Sequence, residues 1–277
     1  MNKLEGVLPG HCLAHAQRLL GDVALVRDEL GRSEDVRPPG DVASAKPRDC
    51  YFEALAAWNK AARLAAEIGA PGARFVEASP AAKDIQPGHV LHVIDSIADQ
   101  IARIKARLHV NDAVAEPAVD TERTPGDVLA VLIRVNRQIS RSLERPFAPS
   151  DCYHAVALAS AYAARLGATS ELAPFERSRQ PRHCFEHLLA CHHVVSAAIA
   201  KRGQQATSAP SLPDDVLPGD VYDLANLVLA EVAYLHSLTP NAAPVQAFEL
   251  APSGYRLPAH VDQMARTLHA QLAALAH

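Results

Sequence analysis

Apolar residues recur every three or four positions in eight stretches of the chain, and each stretch opens on a Pro-x-(Asp/His)-(Val/Cys) tetrad. In the first half the tetrads are Pro9-Gly10-His11-Cys12, Pro47-Arg48-Asp49-Cys50, Pro87-Gly88-His89-Val90 and Pro125-Gly126-Asp127-Val128. In the second they are Pro149-Ser150-Asp151-Cys152, Pro181-Arg182-His183-Cys184, Pro218-Gly219-Asp220-Val221 and Pro258-Ala259-His260-Val261. Counted from each proline, positions +3, +7, +10, +14 and +17 are apolar in nearly every copy. The third copy reads Val90, Ile94, Ile97, Ile101, Ile104; the fourth reads Val128, Leu132, Val135, Ile139 and departs only at Ser142. Such spacing is the seam of helices packed at a shallow angle. Proline suits the first helical position, where a missing N–H costs nothing. The Asp or His two residues later is placed to cap the helix start. The pattern predicts an all-α chain of eight main helices.

The copies also pair at a longer period. At +3 the order is Cys, Cys, Val, Val, then again Cys, Cys, Val, Val. This predicts a tandem duplication of a four-helix bundle, with halves at 1–145 and 146–277. Within each half the linkers are Pro-rich and long. A bundle of antiparallel neighbours needs only about 2–8 residues between helices. A 14-residue linker can reach about 46 Å, more than the roughly 30 Å of a 20-residue helix. The chain can therefore return to its starting end, and a parallel order of helices stands beside an up-down one. In the parallel case Phe75, Val76, Phe175, Val245 and Phe248 would lie along the bundle. Only Arg145 to Ala148 separate the fourth helix from the fifth, which predicts a reversal and a pseudo-twofold between the halves.

Composition narrows the class. Apolar residues make up 49% and aromatics 5% of the 277 residues, with Ala, Leu and Val dominant, which suits helix-on-helix packing. The net charge of −4 offers nucleic acid and anionic membranes no electrostatic attraction. No run of about 18 apolar residues argues for a membrane span. The expected location is cytoplasmic if Met1 is the native start, and periplasmic or secreted if a leader has been removed.

Candidate chemistry gathers at the helix starts and on the sixth helix. Cys12, Cys50, Cys152 and Cys184 all sit at +3, and Cys191 sits on the same seam. They read as small buried hydrophobes. Two disulfides, Cys12–Cys50 and Cys152–Cys184, are the alternative if helix starts adjoin and the compartment oxidises. Metal is the third reading. His183, Cys184, His187 and Cys191 are three or four residues apart, and thiolate with imidazole suits zinc or copper. The +2 residues read His, Asp, His, Asp, then Asp, His, Asp, His. They are helix caps, or a His–Asp ring if the starts cluster. No phosphate loop, dinucleotide fingerprint, H-E-x-x-H or G-x-S-x-G motif occurs.

The expectation is a non-enzymatic binding, sensory or scaffolding module with no cofactor, whose partner is a protein or small molecule. A metal-binding protein using the Cys and His residues is the second expectation. A helical enzyme with a site between the halves is the third.

Overall fold

A computed structural model of the chain describes residues 6–70, 81–115, 117–144, 147–245 and 255–275. Among the described residues eight α-helices follow one another: α1 (Pro9–Glu29), α2 (Pro47–Ile68), α3 (Pro87–Arg107), α4 (Pro125–Ser142), α5 (Pro149–Arg165), α6 (Pro181–Ala200), α7 (Pro218–Ser237) and α8 (Pro258–Leu275). Each begins on the proline of its tetrad. Among the described residues there is no strand, and no helix is long and apolar enough to cross a membrane.

The helices form two compact units, one built on α1–α4 and one on α5–α8, and the second also takes in the short turn Ala81–Lys83. Each unit is a ring. In the first, α1 and α2 each pack on both α3 and α4; in the second, α5 and α6 each pack on both α7 and α8. Sequence neighbours such as α1 and α2 therefore stand diagonally across the core.

Within a unit the helices run parallel. The starts of all four helices of the first unit meet around one cavity, lined by Pro9, Cys12, Pro47, Cys50, Pro87, Val90, Pro125 and Val128. In the second unit, thiols on α5 and α6 reach the first-turn carbonyls of α7 and α8. The long linkers carry the chain back. Residues after α1 run along α4, where Arg137 donates to the carbonyls of Arg37 and Pro38 at 3.0 Å and Gln138 donates to that of Asp35 at 2.9 Å. Residues after α3 run along α1, where Lys105 bridges Asp22 at 2.5 Å and the Asp112 carbonyl at 2.6 Å. Residues after α5 run along α8, where the Ala173 amide donates to Thr267 and its carbonyl accepts from Gln263.

The seam is the core. Val90, Ile94, Ile97, Ile101 and Ile104 are at most 2% exposed, and the facing Cys50, Ala54, Ala57, Ala61 and Leu64 of α2 at most 1%. Large side chains of α3 and α4 thus meet small ones of α2, which fills the layers without strain. Ser142 is buried too, its hydroxyl donating back to the Gln138 carbonyl at 3.0 Å. Of the linker residues expected along the bundle, Phe175 packs its ring at a tilt against His260 of α8, with ring centroids 4.9 Å apart, and Val245 is half-buried. Phe75, Val76 and Phe248 lie outside the described residues.

One core position of the second unit titrates. His192 of α6 is 2% exposed, and its Nε2 has no hydrogen-bond partner among the described residues. Burial, with neighbouring His193, pushes its imidazole down from 6.5 to about 4. The unfolded chain then takes up the proton before the folded one does. Stability is full above the unfolded value and falls as the pH drops from about 6.5 to about 4, by on the order of 3 kcal/mol. Urea midpoints measured across that range should show the loss in the wild type and a much flatter profile in His192→Leu.

Candidate functional site

The helix starts are where the sequence places its chemistry, and parallel packing brings them together. The cavity of the first unit has an apolar wall of proline rings, thiols and valines, with room for about one water molecule. Around it the +3 residues alternate: Cys12, Val90, Cys50, Val128, following the ring order α1, α3, α2, α4. The positive ends of four helix dipoles point the same way here.

The +2 residues form no alternating ring. His11 and His89 lie on adjacent helices, as do Asp49 and Asp127. Each side chain instead accepts the backbone N–H of its own N-cap residue. The Nδ1 atoms of His11, His89, His183 and His260 take the amides of Leu8, Gln86, Gln180 and Leu257 at 3.0–3.1 Å. Carboxylates of Asp49, Asp127, Asp151 and Asp220 take those of Lys46, Thr124, Ala148 and Leu217 at 2.7–2.9 Å. The Thr124 hydroxyl also accepts from the Asp127 amide, and the Thr124 amide and hydroxyl, both donating to the Asp127 carboxylate, hold that carboxyl below its ordinary value. An imidazole caps in this way only while Nδ1 is unprotonated.

All five cysteines are buried free thiols. Cys12–Cys50 and Cys152–Cys184, the alternative to buried hydrophobes, are not bridged in this structure. Cys12 donates to the Pro87 carbonyl at 3.3 Å, Cys50 to Pro125 at 3.2 Å, and Cys184 to Pro258 at 3.3 Å. Cys152 points at the Pro218 carbonyl at 3.9 Å, and Cys191 donates to Ala265 at 3.3 Å. Burial pushes every thiol up, Cys12 and Cys184 to about 12. A thiolate is the reactive form. A thiol-modifying reagent at neutral pH should therefore find almost no reactive group in the native chain and five after denaturation; one thiol reacting at the speed of a free cysteine would contradict this burial.

The proposed metal set on α6 is spread over separate partners. His183 caps its helix, Cys184 and Cys191 bond carbonyls of α8, and His187 Nδ1 lies 2.8 Å from Asp262 Oδ1. Among the described residues, no three or more His, Cys, Asp or Glu side chains gather as a metal would need.

Asp262 is the centre that sequence reasoning missed. Its side chain is fully buried. Arg266 Nε donates to Oδ2 at 3.1 Å, and Arg179 Nε lies 3.3 Å from the same oxygen, in ion-pair range but without the geometry of a hydrogen bond. Both arginines also pair with Glu176 of the α5–α6 linker. The available signal was a carboxylate at +4 of α8 with Arg266 one turn on, a pattern common enough on solvated helix faces to pass unnoticed. In the first unit, His15 on α1 and Asp95 on α3 make a comparable pair at 2.7 Å, more open to water.

No match was found. Family models, curated proteins and solved structures were all compared with the chain, and none resembles it significantly. The reading of function therefore stands on the geometry above.

Proposed function

We propose that this chain is a non-enzymatic binding or scaffolding module, made of two parallel four-helix bundles that present their outer surfaces to a partner. The observation that carries the reading is the commitment of the candidate chemistry to the fold. All eight +2 residues hold helix starts, and the thiols lie in the core against carbonyls of neighbouring helices. Groups engaged in this way are poorly placed to act on a substrate. Long linkers laid along the helices add polar surface on which recognition can be built.

The test is native mass spectrometry of the full chain purified from its own source. A protein or organic ligand in stoichiometric amount, retained in a variant whose five cysteines are replaced by Val or Ala, supports the reading. A chain that carries nothing counts against it. Stoichiometric zinc or copper that disappears in His187→Gln, with melting that responds to chelator, would replace it by the metal-binding reading on α6.

A further inference from the structure

Two of the five thiols share the wall of one cavity. Cys12 and Cys50 come from helices that stand across the ring from one another, yet both line the cavity at the helix starts. Each is 1% exposed. The cavity they share has room for about one water molecule, so little space lies between them. The remaining wall is proline and valine, and the polar groups that the thiols engage there are the Pro87 and Pro125 carbonyls.

We propose that Cys12 and Cys50 together form a two-coordinate site for a soft monovalent cation, Cu(I). Thiolates select soft cations, and Cu(I) is satisfied by two sulfurs in a line. Zinc takes four ligands, and no cluster of three or more His, Cys, Asp or Glu side chains exists among the described residues. Binding is a proton exchange: two thiols and one Cu(I) give a bis-thiolate complex of charge −1 and two protons released to solvent. That negative complex sits where four helix dipoles present their positive ends, and the proline rings keep water from it. The site stands on this geometry and does not depend on the binding-module reading.

The experiment uses the full chain carrying Cys152→Val, Cys184→Val and Cys191→Ala, which leaves Cys12 and Cys50 as its thiols. Valine already fills the +3 position of α3, α4, α7 and α8, so the exchange is mild. Titrated anaerobically with Cu(I) against a bicinchoninate or bathocuproine competitor, this chain should retain about one equivalent. Adding either Cys12→Val or Cys50→Val alone should abolish retention, because one thiolate cannot hold the ion. Zinc offered in place of Cu(I) should not be retained. No retention of Cu(I), or a single variant that keeps half or more of it, overturns the proposal. If circular dichroism shows that the triple variant fails to fold, X-ray absorption on the wild-type chain and on Cys12→Val decides. A linear two-sulfur signature present in the first and lost in the second supports the site, and its absence from the wild type, or its persistence in Cys12→Val, overturns it.

Discussion

Gly10→Ala should destabilise the α1–α4 unit by about 2–3 kcal/mol, although alanine is the better helix former. A Cβ at this position would stand 1.9 Å from the Asp120 carbonyl oxygen and 2.7 Å from its carbon. The obstacle is backbone, so no rotamer relieves it. The crossing linker is also tied down. Asp120 accepts from the Glu122 amide at 3.1 Å and from Arg123 Nε at 2.8 Å, while Arg123 also pairs with Asp127 at the start of α4. Gly126 carries the α1–α2 linker in the same way, with the Val42 carbonyl oxygen 2.7 Å from a would-be Cβ. Gly219 is the control. Its nearest neighbour would be the Phe147 ring at 3.8 Å, an ordinary contact. Gly219→Ala should therefore be neutral or stabilising by up to about 1 kcal/mol. Urea denaturation followed by circular dichroism separates the two variants. Equal midpoints would mean that the linker does not press on the start of α1.

That contrast marks how far the sequence could be read. The prolines, the +3 to +17 seam and the eight helices were legible because local chemistry sets them: proline fixes a helix start, and a 4-3-4-3 pattern leaves one face to bury. The direction of the helices was not. A 14-residue linker is long enough for a parallel return and short enough for a loose loop, so length alone allows both. What decides is the set of contacts the linkers make, such as Val114 against Gly21 or Arg137 against Arg37, and these pair residues that no periodicity connects.

The candidate site was half legible for the same reason. Position +3 is a seam position, and the +3 cysteines Cys12 and Cys50 of the first unit do line one cavity. Their partners were not foreseeable, because a thiol bonded to a carbonyl of another helix leaves no mark in sequence. The +2 residues show the converse. An alternation of His and Asp along the chain suggests a network, but the ring order α1, α3, α2, α4 sets like beside like. The capping bond to residue −1 is local, and it prevails because an amide at a helix start has no other intrahelical partner.

Asp262→Ala should cost the α5–α8 unit about 3–5 kcal/mol, more than Gly10→Ala costs the first. The carboxylate is fully buried and serves three cationic or polar neighbours at once: His187 at 2.8 Å, Arg266 at 3.1 Å and Arg179 at 3.3 Å. Removing it leaves two guanidinium groups facing one another with Glu176 as their remaining shared anion. Their side chains are 21% and 18% exposed, so neither can turn freely to water. Asp262→Asn keeps the shape and an acceptor oxygen, and should lose less. The damage should spread along a definite path. Arg266 also donates to the Pro174 carbonyl, and Glu176 lies in the same α5–α6 linker. Without Asp262 the arginines lose the anchor that fixes that linker against α8. Hydrogen exchange should therefore rise first around 173–180 and in the first turns of α6 and α8, before the α5 and α7 seams open. Uniform acceleration across the unit, or a loss under about 1 kcal/mol, would mean that the carboxylate is solvated in solution and that the linker is held by its other contacts.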